Sequence, residues 1–276
     1  MAKAAMWVLP LLIGGLLQSA LARKWRLPAR EASALIVLSM GGVAIMALAA
    51  VRARPQAGWA ALTAAMLSGQ LALFIGGLLA RFYRDPERSL PADPRTVLSP
   101  ADGTVIYRRR LPPGAALQTE KKGAVMGLDE LAATSLAREE LWQIGISMVF
   151  SDVHVNRAPI SGQVILLQRR AGSFLSLRRQ EAASLNERQT ILIAADNVQV
   201  ALVQVASRLV RRIQAFVAPG DRVQRGQRIG IIKLGSQVDL FIPTAQCTDP
   251  DIALGQHLIA GESIICQLKR ATGDWP

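Results

Sequence analysis

A glycine followed by a serine, Gly235-Ser236, lies forty residues from the C-terminus between two apolar runs. The run 229–234 precedes the pair, and the run 238–242 alternates apolar and polar residues as a half-buried strand does. Because glycine tolerates backbone angles that other residues resist, its carbonyl can be held bent toward the neighbouring hydroxyl. This geometry suits a serine that attacks its own peptide bond, although the dipeptide alone is also ordinary turn chemistry.

Two more residues have side chains suited to act on such a serine. His154 follows the apolar run 145–150 and stands among polar neighbours, a position typical of catalytic histidines at the rim of a sheet. Asp102 precedes a glycine at a turn, where aspartate is commonly structural but can also orient a histidine. We therefore predict Ser236 as nucleophile, His154 as base and Asp102 as the orienting acid. The second histidine, His257, lies in a turn-rich unit and is interpreted as structural.

The first 80 residues form a predicted membrane anchor of two or three transmembrane helices. They contain three runs without a charged side chain, 4–22, 34–51 and 57–80. The third run has 24 residues, so it would reach about 36 Å as a helix, enough for a bilayer core of about 30 Å. The first run also resembles a signal peptide, but two further spans make a leader redundant.

Basic residues predict the orientation of this anchor. The first loop carries four of them, the second loop two, and a further group follows residue 80. Positive-inside reasoning places the first loop and everything after residue 80 in the cytoplasm, so the C-terminal domain is expected on the cytoplasmic side of the inner membrane. The arginines in the second loop, Arg52 and Arg54, oppose this assignment.

The formal charge of +12 rests mostly on arginine clusters. These clusters lack interleaved aromatic residues, so we predict an anionic membrane surface rather than nucleic acid as the partner. The two cysteines, Cys247 and Cys266, have neither CxxC spacing nor a disulfide framework. A reducing compartment fits this pattern, and no metal site is predicted.

From residue 81 onward the pattern changes to a mostly-β domain with a few helices. After a proline-punctuated linker, apolar residues come in strand-length runs, at 104–107, 144–150, 164–167, 190–194, 198–205, 209–217 and 229–234. One helix is predicted around 129–141. The segment 218–230 is similar to the turn-strand-turn unit of barrel-sandwich domains such as lipoyl and biotinyl carriers. The predicted domains are therefore 1–80 and 81–276, the second barrel-sandwich-like.

Five motifs, taken in order, resemble the phosphatidylserine decarboxylase family in its short bacterial form. They are 82–88 (FYRDPER), 99–103 (SPADG), 152–162 (DVHVNRAPISG), 186–188 (NER) and 235–239 (GSQVD). The resemblance covers nearly all of residues 81–243. Five matches in order are far more specific than any one of them.

The resemblance implies a proenzyme that cuts itself between Gly235 and Ser236 and turns Ser236 into a pyruvoyl group. The two resulting chains would stay together as a heterodimer, with assembly of several copies left open. The pyruvoyl ketone would react with the amine of the substrate phosphatidylserine and accept the electrons released with carbon dioxide, giving phosphatidylethanolamine. By the same resemblance, Asp102 and His154 occupy the family's acid and histidine positions.

The sequence departs from the family at two of its positions. Longer members carry a second histidine three residues after the first, often assigned as the self-cleavage base, and here that residue is Arg157. The resemblance therefore leaves the identity of the self-cleavage base open. If no other residue takes this role, His154 serves both cleavage and decarboxylation. Ser173 stands where the family commonly has lysine, so no substrate contact is carried over to that position.

Three other functions fit the sequence less well than decarboxylation. A membrane-anchored zinc peptidase needs a His-x-His pair, and the residue two after His154 is Asn156. A lipoyl or biotinyl carrier needs a lysine at a hairpin tip, whereas Lys233 lies close to Gly235 and there is no Met-Lys-Met sequence. A non-catalytic membrane scaffold would remain an intact single chain.

Overall fold

A computed structural model describes most of the chain as two compact units. The described residues are 2–25, 27–53, 58–115, 117–121, 124–131, 134–170, 187–195, 198–206, 212–233 and 237–269. One unit comprises residues 1–84 with 149–151, and the other comprises 85–148 with 152–276.

The first unit is built from three helices, α1 (Ala2–Lys24), α2 (Ala29–Ala53) and α3 (Trp59–Phe82). Within the described residues, two of them, α2 and α3, are long and apolar enough to cross a membrane. Five large apolar side chains of the α2 span are exposed, as expected where lipid is the solvent; they are Val37, Leu38, Ile45, Met46 and Leu48.

Buried polar side chains link the three helices. Gln18 of α1 donates a hydrogen bond to the main-chain carbonyl of Gln70 in α3 (2.9 Å), and Ser39 of α2 donates to the Gln18 side chain (2.9 Å). A Cβ at Gly14 would lie 1.5 Å from the Gln70 amide oxygen, so the Gln70 side chain occupies the space that glycine leaves between α1 and α3.

The second unit is a curled, antiparallel β-domain, which confirms the predicted class. Its strands are β1 (Thr96–Leu98), β2 (Gly103–Leu111), β3 (Gln118–Lys121), β4 (Ala124–Gly127), β5 (Leu141–Ser147), β6 (Val155–Arg157), β7 (Gly162–Arg170), β8 (Arg188–Ala195), β9 (Val198–Val205), β10 (Arg212–Ala215), β11 (Arg222–Val223), β12 (Arg228–Lys233), β13 (Gln237–Pro243), β14 (His257–Leu258) and β15 (Ile264–Gln267).

Eight of these strands form one sheet in the order β11-β7-β8-β9-β13-β5-β2-β14. A second sheet has the order β10-β12-β6, and the pairs β1-β15 and β3-β4 complete the unit. The register pairs Leu240 of β13 with Ile144 of β5 on one edge and Leu202 of β9 on the other. Strand β13 is therefore hydrogen-bonded along both edges.

The alternation of residues 238–242 assigns the two faces of β13 to two different cores. Val238, Leu240 and Ile242 belong to the larger apolar cluster, whereas Phe241 belongs to a smaller one on the opposite face. Every residue of β13 is buried. The polar residues on the Phe241 face must therefore find hydrogen-bond partners inside the protein.

The predicted helix around 129–141 is wrong. The described part of that segment forms two short 3-10 turns, Asp129–Leu131 and Ser135–Arg138, and Leu141 begins strand β5. Its leucines, Leu131, Leu136 and Leu141, are all buried in the smaller cluster. They recur every five residues, and this spacing does not hold one face of an α-helix.

A glycine in β5 makes room for a tyrosine of β2. Gly145 pairs with Tyr107 on one side and Asp239 on the other. A Cβ at Gly145 would lie 2.4 Å from the Tyr107 ring, so the ring lies directly over this glycine.

We predict that Gly145→Ala destabilises the β-domain by about 1–3 kcal/mol, because the added methyl group overlaps a ring in a packed site. The thermal unfolding midpoint of the purified protein should fall by several degrees. Gly127→Ala is the matched control, since its Cβ would meet only the Asp129 carboxylate at 3.4 Å. An equal midpoint for both variants would contradict the close contact of Tyr107 with Gly145.

Candidate active site

His154 is fully buried immediately before strand β6. Its Nδ1 lies 2.8 Å from the main-chain carbonyl oxygen of Asp152. A carbonyl oxygen only accepts hydrogen bonds, so Nδ1 carries the proton in the neutral ring and Nε2 is the basic nitrogen. The fold thus selects the tautomer that a general base acting through Nε2 requires.

The main chain at His154 runs beside the strand that leads to the predicted cleavage site. The carbonyl of His154 accepts a hydrogen bond from the amide of Ile232 (3.2 Å), and Val155 pairs with Ile231. Strand β12 ends at Lys233 and β13 begins at Gln237. Residues 234–236, with Gly235 and Ser236 among them, lie outside the described part of the chain.

Asp102 is buried and its carboxylate contacts three groups. Arg88 donates to both of its oxygens (3.0 and 2.9 Å), the Ala260 amide donates at 2.8 Å, and the Val153 amide donates at 3.4 Å. The Arg88–Asp102 ion pair is itself largely shielded from solvent. Asp102 therefore holds the main chain directly before His154, and its orienting role stays a prediction.

Arg157, which stands in the place of a second histidine, is buried and donates in several directions. Its guanidinium donates to the carbonyls of Gly226 and Pro86 and to the Asp85 carboxylate, each at 3.0 Å. Burial lowers the pKa of Arg157, and the charge of nearby Arg228 lowers it further. A guanidinium that donates to three acceptors has no lone pair to offer, so Arg157 cannot replace a histidine as base.

The structure adds a contact that the sequence did not indicate. His257, interpreted above as structural, has Nε2 3.1 Å from the Asp152 carboxylate, and its side chain is half exposed. The two residues are 105 positions apart. The same Asp152 binds His154 through its carbonyl, so both histidines of the chain are tied to one residue.

Asn156 and two residues of the 186–188 motif, Glu187 and Arg188, have structural partners, whereas Asn186 lies outside the described residues. The Asn156 amide oxygen accepts from Gln204 (2.7 Å) in the core. Glu187 pairs with Arg169 at 2.6 Å, and Arg188 donates to the carbonyl of Gly127 at 2.8 Å. These contacts connect Glu187 to strand β7 and Arg188 to strand β4. In the part of the chain described here, no cluster of three or more metal-ligating side chains is found.

Comparisons with known proteins identify the family of this chain. The family model described as phosphatidylserine decarboxylase matches residues 75–266. The phosphatidylserine decarboxylase proenzyme of Novosphingobium aromaticivorans is 38% identical over 202 residues, which cover 73% of this chain and 76% of that protein. The proenzyme of Erythrobacter litoralis is 39% identical, with 72% and 76% covered.

A third relative gives the same result. The phosphatidylserine decarboxylase proenzyme of Pelobacter propionicus is 37% identical over 212 residues, which cover 75% of this chain and 85% of that protein. The match of the family model and these identities over most of both chains lead to one conclusion. The chain belongs to the phosphatidylserine decarboxylase family and is thus a carboxy-lyase.

Proposed function

We propose that this chain is a membrane-bound phosphatidylserine decarboxylase that cuts itself between Gly235 and Ser236 and carries a pyruvoyl group made from Ser236. The observation that carries the proposal is the main-chain hydrogen bond from Ile232 to His154. It fixes the histidine beside the strand that ends at Lys233, two residues before Gly235.

The described residues on both sides of the pair fit a pyruvoyl group. Strand β12 is tied to β6 and β10, and β13 is tied to β5 and β9, so each flank of the pair is anchored. When present, the group supplies a ketone that reacts with the substrate amine and accepts the electrons released with carbon dioxide. The chain's own residues must then hold that end and move protons around it.

His154 is the residue we assign to proton transfer. Because the Nδ1–H group donates a hydrogen bond to the Asp152 carbonyl, Nε2 has the lone pair that takes the proton of the Ser236 hydroxyl. The same nitrogen, once protonated, is able to return a proton to the substrate carbon after carbon dioxide leaves. Imidazole suits both tasks because its ordinary pKa lies near neutrality.

The sheet explains why the two products would remain one heterodimer. The small chain would begin at residue 236 and contribute β13, β14 and β15. Because β13 lies between β5 and β9, its release would break hydrogen bonds on both edges and expose a fully buried strand. The cut therefore changes the chain ends without separating the chains.

Helices α2 and α3 support membrane attachment, and the basic residues predict its side. We assign the β-domain to the cytoplasmic face of the inner membrane, in contact with anionic lipid. Phosphatidylserine is itself an anionic lipid, so the membrane is both the anchor and the source of substrate.

We predict that the purified protein consists of a large chain ending at Gly235 and a small chain of 41 residues, 236–276. Intact-mass spectrometry should show a small chain that has no free N-terminal amine and reacts with a carbonyl reagent such as phenylhydrazine. Ser236→Ala should give a single uncut chain without decarboxylase activity. Uncut wild-type protein with full activity would exclude the pyruvoyl mechanism and favour another decarboxylation chemistry.

We predict that His154→Ala slows self-cleavage and also lowers turnover in the fraction that matures, each by about 10²- to 10⁴-fold. The two rates are measured separately, as appearance of the cut chain and as phosphatidylethanolamine formed per pyruvoyl group. His257→Gln is the comparison, since it removes the other imidazole of the chain. A larger loss of cleavage in His257→Gln would move the base to His257, and normal cleavage in His154→Ala would remove the dual role.

We predict that Asp102→Asn and Arg88→Gln share one defect, slower self-cleavage, because each breaks the ion pair that holds the chain before His154. Loss of one partner takes away the main compensating charge of the other in a buried site, and Arg88 then keeps only the longer contact with Glu262 (4.0 Å). Breaking a buried pair in this way commonly costs about 3–5 kcal/mol. Asp102→Asn should affect cleavage more than turnover, since the substrate brings polar groups into the mature site. Arg95→Gln, which breaks an exposed pair with Asp93, is the control. A cleavage defect in Asp102→Asn with none in Arg88→Gln would show that Asp102 acts independently of the pair.

A further inference from the structure

A buried polar cluster lies on the Phe241 face of the sheet, at the start of β13. Its members, named here the Asp239 cluster, are Tyr107, Gln143, Gln237 and Asp239. Gln143 and Asp239 are fully buried, and Gln237 is 3% exposed. None of these residues has a role in the function proposed above.

Asp239 is the common acceptor of the cluster. The Tyr107 hydroxyl donates to its carboxylate at 2.5 Å, Gln143 donates at 2.9 Å, and Gln237 donates at 2.8 Å. Burial raises the pKa of Asp239, and these donors act in the opposite direction. Arg109 closes the edge of the cluster, since it donates to the Gln143 amide oxygen (2.8 Å) and lies 4.9 Å from the centre of the Tyr107 ring.

Gln237 is held more firmly than a residue at the start of a strand usually is. Its amide nitrogen lies within hydrogen-bond distance of the Tyr107 oxygen (2.9 Å), the Asp239 carboxylate (2.8 Å) and the main-chain carbonyl of Glu120 (2.7 Å). The Glu120 carbonyl belongs to β3, which therefore also ties the hairpin β3-β4 to β13. The side chain is anchored in two elements besides its own strand.

Gln237 is the residue through which these contacts reach the predicted catalytic group. Gln237 directly follows Ser236, so after the proposed cut it is the second residue of the small chain. Strand ends fray readily when nothing ties them. Before the cut residue 236 is tethered on both sides, through Lys233 and Gln237, but afterwards it is tethered through Gln237 alone.

A buried polar cluster of this kind is not the most stable way to fill a core, because apolar side chains of similar volume do so without desolvating a carboxylate. In return the cluster fixes the positions of its side chains, because hydrogen bonds are directional and each one constrains the two groups that it joins. We propose that the Asp239 cluster holds Gln237 as a positioning residue for the catalytic group at residue 236, and that it matters most after self-cleavage. This inference rests on the proposed function.

Two variants separate this role from simple stability. Tyr107→Phe removes one hydroxyl and leaves the ring over Gly145, and Gln237→Met keeps the length of the side chain while removing its donors. Ile242→Val, on the same strand but the opposite face, is the matched control for lost stability.

The test measures three quantities on each purified variant. They are the fraction of cut chain, the turnover per pyruvoyl group and the hydrogen exchange of the peptide that begins at residue 236. Both variants should cut within about threefold of the wild-type rate but turn over about 10- to 100-fold more slowly per pyruvoyl group, because small misplacements of reacting groups cost this much.

Hydrogen exchange gives a readout that does not depend on activity. The amides of 237–239 should exchange at least about tenfold faster in the cut variants than in the cut wild type, and much less so in an uncut Ser236→Ala background. Ile242→Val should show neither change. Wild-type turnover and wild-type exchange in both variants would overturn the positioning role while leaving the cut intact. An uncut wild-type chain would instead overturn the proposed function, and this inference with it.

Discussion

Strand β13 is a central, fully buried strand, and its start follows a predicted chain end. Chain ends are ordinarily exposed and mobile, whereas a central strand is fixed on both edges. Hydrogen bonds to β5 and β9 along both edges, together with burial of both faces, stabilise it. A chain end placed on an edge strand or a loop would be free to move. An end placed at β13 inherits the rigidity of the sheet, which catalysis by a group on that end requires.

Three of the motifs that carry the family resemblance are joined by ion pairs near the main chain of His154. Arg88 from the first motif pairs with Asp102 from the second, and Arg157 from the third pairs with Asp85 from the first. Both pairs lie close to the main chain that carries His154. Broken buried ion pairs leave an unpaired charge in a low-dielectric site, so each arginine constrains the loop that it reaches.

The sequence predicted the class of the β-domain well because periodicity is a local signal. The run 198–205 coincides with strand β9, and the alternation after residue 237 correctly indicates a strand. The helix predicted around 129–141 was wrong, since the spacing of its leucines serves a core that only the folded sheet creates. Short apolar segments of this kind are ambiguous until their partners are known.

The contacts that define the site could not be predicted from local sequence patterns, because they join residues that are far apart in the chain. Asp102 was expected to act on a histidine, but its strongest partner, Arg88, belongs to a different motif. His257 and Asp152 come together across 105 positions. Asp239 was only one letter of a motif, and its buried partners on β2 and β5 lie far from it in the chain.

The most direct test of the account is to find which residue bonds to the substrate during turnover. The mature protein is incubated with phosphatidylserine vesicles and sodium cyanoborohydride, and the covalent lipid is located by mass spectrometry of both chains. We expect lipid attached to the first residue of the small chain, the one derived from Ser236. Lipid attached to a lysine side chain such as Lys233, or active protein with no lipid on the small chain, would contradict it.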